Sequence, residues 1–233
     1  MTPARRGKTV AVLPVKRFGA AKQRLEGDLT EGTRRALAEA MVTDVLIALR
    51  RAQEVDEVLV VSGETMAVAL AGGYDAAAVV DDPDDAGHSA AAQRGVEAAA
   101  ERGATRGGLV PGDCPALDPA ELDRLLASAP AVVDPGAPEV IVVPDRHGDG
   151  TNALVLAPPD AIRPAFGPGS RERHERLAAE AGATVRAVEV VTLGLDVDTA
   201  DDLAALSAAL QDVRGGASHT RGLLARFGRV GGR

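Results

Sequence analysis

The chain has no tryptophan, one tyrosine and three phenylalanines in 233 residues. So few rings leave little surface for stacking exposed nucleobases, and the core has to be built from Ala, Val and Leu. Its single cysteine, Cys114, excludes an internal disulfide and a cysteine-based zinc site, and it suits a reducing compartment. Although Cys114 stands beside Asp113, its expected part is packing. No apolar run is long enough to span a membrane, and MTPARRGKTV lacks the apolar stretch of a signal peptide, so a cytoplasmic protein without membrane partners is expected. A basic surplus is missing as well: the formal net charge is -8 and the isoelectric point near 5.1, which argues against nucleic acid as a partner. There is no Walker loop and no GxGxxG, so P-loop hydrolases and common dinucleotide dehydrogenases lose support. Lysine is scarce beside arginine, which draws attention to Lys8, Lys16 and Lys22.

With 45% hydrophobic residues, positions 1-212 suffice for one generous domain. The tail 213-233 is rich in Gly and Arg without a sustained period, and disorder or loose docking is expected there. Strand patterns at Val10 to Val15, Glu57 to Val61, Ala77 to Val80, Gly108 to Val110 and Val140 to Val143 alternate with helical ones at Thr33 to Ala52, 65-71, Ser89 to Glu101 and Pro119 to Ala127. Asp118 followed by Pro119 is a helix start signal. This alternation predicts an α/β fold, a doubly wound and mostly parallel Rossmann-like sheet in a three-layer α/β/α arrangement. After Pro144 the regularity breaks: a polar loop, a strand at Ala153 to Leu156, a second glycine-rich loop, a charged helix at Arg171 to Ala181 and a strand near Thr184 to Val190 are expected to form a second wall of the pocket.

The stretch LVPGDCPAL, residues 109-117, reads as a buried strand that stops at Pro111-Gly112 and delivers Asp113 to the carboxyl edge of the sheet, where ligands of open α/β folds bind. A second acidic edge is expected at Gly194-Leu195-Asp196-Val197-Asp198, whose two carboxylates would share one side of an extended segment. Asp113, Asp196 and Asp198 together are candidate ligands for Mg2+, a hard cation that prefers oxygen. The loop Pro14-Val15-Lys16-Arg17-Phe18-Gly19-Ala20-Ala21-Lys22-Gln23-Arg24 gathers four cations suited to a nucleoside triphosphate, against the plainer reading of a solvated basic loop. Gly87-His88-Ser89 opens a helix and could meet a base or ribose, or Ser89 could simply cap the helix; the preceding aspartates 81-85 read as a solvated turn. Thr151, Ser170 and Arg173, in the loops GDGTN and FGPGSRER, could hold a small acid bearing phosphate and carboxylate.

The order PVK, AKQRL, GDCPAL, DGTNAL, FGPGSRERH and LDVDTADDL resembles the guanylyltransferase family of coenzyme F420 biosynthesis over roughly residues 9-210. The DGTNAL and FGPGS pair is the specific part. The resemblance implies a nucleotidyltransferase fold of the GT-A-like type and transfer of GMP from GTP to phosphoenolpyruvate, giving enolpyruvoyl-2-diphospho-5'-guanosine and pyrophosphate. The arginine and alanine bias looks actinobacterial, which favours phosphoenolpyruvate over 2-phospho-L-lactate or 3-phosphoglycerate. It further implies Mg2+ on Asp113, Asp196 and Asp198, catalytic work by Lys16, Lys22, Arg24 and Asp113, nucleotide contacts at Pro14, Lys16, Gly87 and Ser89, and acceptor binding at Thr151, Gly167 and Ser170. A homodimer is compatible with this reading. One departure is Gly87-His88-Ser89, where relatives carry Gly-Leu-Asn. The competing readings are another nucleotidyltransferase acting on a sugar phosphate or molybdopterin, a DxD glycosyltransferase, and a catalytically silent nucleotide-binding regulator.

Overall fold

The computed structural model describes residues 7-74, 77-82, 86-129, 138-212 and 216-230. Seven strands, β1 (Thr9–Pro14), β2 (Glu57–Ser62), β3 (Ala77–Asp81), β4 (Arg106–Leu109), β5 (Glu139–Pro144), β6 (Thr151–Ala157) and β7 (Thr184–Ala187), form one sheet in the order β3-β2-β1-β4-β6-β5-β7. The mostly parallel, doubly wound sheet is therefore as expected, with one exception in direction. β6 runs antiparallel to both β4 and β5. The short polar loop between β5 and β6 allows only a hairpin, since a parallel crossover needs a dozen residues or more.

Alternation along the strands divides the core between the two faces. Ala11, Leu13, Val58, Val60, Ile141 and Val143 pack under α1 (Glu31–Arg51), α2 (Thr65–Gly73) and α4 (Pro119–Ala127). Val10, Val12, Leu59, Val61, Val140 and Val142 face α3 (His88–Glu101) and α5 (Ser170–Glu180). The alanine-rich α3 lies so close to β1 that a Cβ on Gly95 would fall 2.1 Å from Val12 Cγ1. A third apolar cluster joins Leu25, Leu37 and Met41 to Leu206 and Leu210 of α6 (Ala200–Asp212).

The C-terminal tail corrects an expectation. Instead of lying loose, residues 218-230 form α7 (Ser218–Val230), with Leu223 and Leu224 packed against that third cluster. Asp44, buried on α1, accepts hydrogen bonds from the backbone N–H groups of His219 at 3.1 Å and Thr220 at 2.8 Å, and so caps the new helix. That partner lies far away in the chain, and the Gly and Arg composition of the tail carries no trace of it. The rest of the tail, 213-215 and 231-233, lies outside the described residues. A second correction concerns the late strand, which ends at Ala187; a 3-10 turn, Val191–Gly194, precedes the Asp196 and Asp198 segment.

Candidate active site

The parallel pairing of β1 with β2 and β4 sets the loop after Pro14 beside the loop after Leu109 at the carboxyl edge of the sheet. The basic loop is held from below. Ser62 Oγ donates to the Val15 carbonyl at 2.8 Å, Phe18 N–H donates to Glu64 Oε2 at 3.1 Å, and the Phe18 ring is buried. Between two 3-10 turns, Phe18–Ala20 and Gln23–Leu25, Lys22 takes a left-handed backbone with φ 58° and ψ 36°. For a non-glycine residue this costs about 1-2 kcal/mol. The side chain shows what keeps it there: Lys22 Nζ donates to Asp113 Oδ2 at 2.6 Å and to Asp198 Oδ1 at 3.1 Å, with the lysine side chain only 8% exposed. Arg24 approaches the other Asp198 oxygen at 3.6 Å from a largely exposed position. Pro14, Lys16, Lys22, His88, Asp113 and Asp198 line one cleft.

Charge in the cleft is strongly coupled. Burial disfavours the Lys22 ammonium, yet Asp113 and Asp198 outweigh it and raise its pKa. Burial likewise opposes ionisation of Asp113, and the adjacent ammonium overrides it, holding the carboxyl below its ordinary range. Cys114 is fully buried, its thiol pushed up by burial and donating to the Leu193 carbonyl, so it is a neutral packing group. His88 is lowered to about 4 by burial and by Lys16, and His174 to about 4 by burial and by Arg173. Unfolded imidazoles take up protons near pH 6.5, whereas these two stay neutral until about 4, so the unfolded chain binds more protons across that window. Stability is therefore expected to fall as pH drops from about 6.5 to about 4. The urea midpoint measured at steps across that window should decline; a flat midpoint would contradict burial of neutral histidines.

The three aspartates expected to share a metal do not converge as a set. Among the described residues no three His, Cys, Asp or Glu side chains are arranged as a ligand cluster. Asp113 and Asp198 both aim an oxygen at one cationic atom, Lys22 Nζ, while Asp196 Oδ1 accepts from Asn152 Nδ2 at 3.0 Å. Burial, only partly offset by that bond, raises the Asp196 pKa. Residues 195-197 form no regular strand and a bend follows at Asp198, yet Val197 is buried between Asp196 and Asp198, and the negative charges of Asp113 and Asp198 add to the rise at Asp196. Two converging hard carboxylates still fit Mg2+, which is commonly held by one or two carboxylates plus substrate phosphates. Asp202, unmarked in the sequence reading, shapes this turn: its Oδ2 accepts from Asp198 N–H at 3.0 Å and Thr199 N–H at 2.7 Å, while Thr199 Oγ1 accepts from Asp202 N–H at 3.3 Å. Thr199-Ala200-Asp201-Asp202 follows the capping-box pattern with Asp in the acidic place, and that spacing was the available signal. Arg146, from the loop after β5, pairs with Asp202.

On the far side of the cleft the two glycine-containing loops are joined. Gly169 N–H donates to Asp149 Oδ2 at 3.0 Å and Arg171 N–H to the Asp149 carbonyl at 3.1 Å. Gly167 at φ 118° and Gly169 at φ 65° use backbone conformations that side chains resist, and Gly169 starts α5 without a side-chain cap. Gly87 starts α3 in the same uncapped way, whereas Thr30, Glu64 and Asp118 cap α1, α2 and α4. Uncapped N-termini leave amide donors for an anion. The Ser170 hydroxyl is buried without a hydrogen-bond partner among the described residues, and Thr151 Oγ1 meets His174 Nδ1 at 3.0 Å. Two residues expected to contact ligand have structural partners. Arg173 donates to the carbonyls of Ala165 and Pro168, each at 2.8 Å, and Ser89 Oγ accepts from Phe166 N–H at 2.9 Å, being neither cap nor open contact. His88 meets the Phe166 ring edge-on at 4.7 Å, linking the cleft to the second loop. The solvated turn expected at 81-85 does not hold for its described part: Asp81 ends β3 and Asp82 is buried and paired with Arg94 at 2.9 Å, while 83-85 lie outside the described residues.

The family model described as "Guanylyl transferase CofC like" matches residues 9–227. A phosphoenolpyruvate guanylyltransferase from Conexibacter woesei is 54% identical over 216 residues, covering 93% of this chain and 95% of that protein. Its namesake from Sphaerobacter thermophilus is 38% identical, covering 85% and 92%. A 2-phospho-L-lactate guanylyltransferase from Methanothermobacter thermautotrophicus is 33% identical, covering 84% and 82%. Among solved structures, a candidate nucleotide-diphospho-sugar transferase from Desulfovibrio desulfuricans G20 superposes with TM-score 0.71 at 18% identity, covering 94% of this chain and 95% of that one. That likeness shows a shared fold.

Proposed function

The chain belongs to the CofC-like guanylyl transferase family and is a nucleotidyltransferase, and from that premise we propose that it transfers GMP from GTP to phosphoenolpyruvate in coenzyme F420 biosynthesis, in the cytoplasm. The observation that carries the reading is the cleft where Lys22, Asp113 and Asp198 meet, tied through His88 and Phe166 to the loops that present Thr151 and Ser170. Phosphoenolpyruvate, the substrate named for the 54% identical relative, offers the phosphate nucleophile and carboxylate that those loops suit.

In this mechanism an oxygen of the acceptor phosphate attacks the α-phosphorus of GTP, a new P–O–P bond forms, and pyrophosphate departs. The nucleophile carries no proton that must be removed, so no general base is required, in keeping with a His88 that stays neutral. Lys16, Lys22 and Arg24 hold the triphosphate and offset the charge gathering on the leaving pyrophosphate. The N-terminus of α3 at Gly87 offers amides to the nucleotide, and Thr151, Gly167 and Ser170 seat the acceptor in line with the α-phosphorus. Asp113 and Asp198, with Asp196 nearby, would hold Mg2+, which would neutralise phosphate charge and help orient the two anions. Asp202 keeps the Asp198 backbone in place for this task.

The test is pyrophosphate release by purified protein with GTP and Mg2+, comparing phosphoenolpyruvate, 2-phospho-L-lactate, 3-phosphoglycerate and no acceptor, with product masses recorded. Release that depends on phosphoenolpyruvate, with a GMP adduct of matching mass, is expected. Turnover on 2-phospho-L-lactate alone would move the acceptor to the one named for the Methanothermobacter relative. Silence on every acceptor would sink the proposal.

A further inference from the structure

His174 is 0% exposed, sits inside α5 and does not line the cleft where the nucleotide is expected. It lies four residues after Ser170, one helical turn on, and therefore shares that residue's face. Both ring nitrogens are engaged: Ala165 N–H donates to Nε2 at 2.9 Å, and Nδ1 lies 3.0 Å from Thr151 Oγ1. A backbone amide can only donate, so Nε2 must carry a lone pair. A neutral imidazole has one N–H, which is then on Nδ1, and it donates to the Thr151 oxygen. The hydroxyl hydrogen of Thr151 is consequently turned away from the ring. In the opposite tautomer Thr151 would donate to Nδ1 and present only lone pairs to an incoming anion.

We propose that His174 is a positioning residue that fixes the Thr151 hydroxyl as a hydrogen-bond donor to the anionic acceptor, with the Ala165 amide selecting the tautomer. The inference rests on the acceptor site of the proposed function and adds to it the group that sets the polarity of one of its contacts. Phe166, 5.3 Å away and edge-on to the ring, holds the imidazole plane. The lowered pKa of His174, caused by burial and by Arg173, agrees with a neutral ring at working pH.

Two measurements test it. In the first, steady-state kinetics compare wild type with His174→Phe, His174→Asn, Thr151→Val and the double variant His174→Phe/Thr151→Val. His174→Phe keeps a ring beside Phe166 and removes both hydrogen bonds. It should raise KM for phosphoenolpyruvate about tenfold, with kcat and KM for GTP little changed. His174→Asn, whose amide N–H can stand in for Nδ1–H, should recover most of the loss, and in the Thr151→Val background the histidine change should add little. A full additional penalty there, or equal rises in both KM values, would overturn the proposal. In the second, 15N NMR of the wild-type histidines reads the tautomer directly, so the proposal stays testable if the ring variants fail to fold. A protonated Nδ1 and bare Nε2 at His174 are expected; a protonated Nε2 overturns the inference alone. Wild-type protein inactive on every acceptor overturns the functional reading itself, and the inference with it.

Discussion

Asp113→Asn is expected to lower kcat by about three orders of magnitude while the fold survives. The substitution changes one oxygen to nitrogen in a loop that is fixed independently: Val110 N–H donates to the Val12 carbonyl at 2.9 Å, Leu117 N–H to the Cys114 carbonyl at 3.1 Å, and Val110 before it and Cys114 and Leu117 after it are buried. What disappears is the charge. The carboxylate held ionised beside Lys22 is, in the proposed mechanism, one of the residues that would hold the cation, which would offset the charge of two anionic substrates. Loss of that electrostatic support is worth several kcal/mol at the transition state, or about a thousandfold in rate. The check is single-turnover formation of the GMP adduct at saturating Mg2+, with circular dichroism to verify folding. Turnover within about tenfold of wild type would remove Asp113 from the chemistry.

Lys22→Met should be nearly as damaging to catalysis, about 10²- to 10³-fold in kcat, because the departing pyrophosphate loses a fixed positive charge. It should also expose what the lysine does for the resting protein. Breaking a buried ion pair by removing one partner costs about 3-5 kcal/mol, but Asp113 and Asp198 are 30% and 48% exposed, so solvent screening brings the expected cost nearer 1-2 kcal/mol. Two carboxylates left without their cation should then take up Mg2+ as a substitute. Added Mg2+ is therefore expected to raise the thermal midpoint of Lys22→Met more than that of wild type, read by differential scanning fluorimetry without GTP. Equal shifts would show that Lys22 does not compete with the ion, and no shift in either protein would show that Asp113 and Asp198 do not hold it. A companion variant separates backbone from charge: Lys22→Gly relieves the left-handed strain that Lys22→Ala retains, so it should be the more stable of the two and no more active.

How far the site could be read in advance depended on the range of the signals. Asp113 stood out because its cue is local, an apolar run broken by Pro111-Gly112 at the end of a strand. The basic loop was visible for the same reason, and so were the two glycine-containing loops. His174 was hidden inside a helix of mostly charged residues, because the buried face, Ser170, His174 and Ala178, is made of two polar residues and an alanine and shows no apolar stripe. Arg173 and Ser89 have the right donors for a ligand, but the partners that claim them, the carbonyls of Ala165 and Pro168 and the Phe166 amide, lie on loops whose path is set by packing. Asp196 and Asp198 were expected to act as a pair; their charges do act on each other, but Asn152 holds Asp196 while Lys22 holds Asp198, partners that no local spacing announces.

Local order along the chain determined the strand and helix alternation, the sheet class, the acidic stop after β4 and the cationic loop after β1, because each is written in periods of a few residues and in turn chemistry. The tertiary structure alone decided that β6 enters antiparallel, that the tail closes as α7 on Asp44, that Lys22 rather than a third carboxylate stands between Asp113 and Asp198, and that Thr151 faces His174. Each of those outcomes is a contact between groups far apart in the chain, and whether a polar group binds a ligand or a neighbour depends on which groups folding brings within about 3 Å of it.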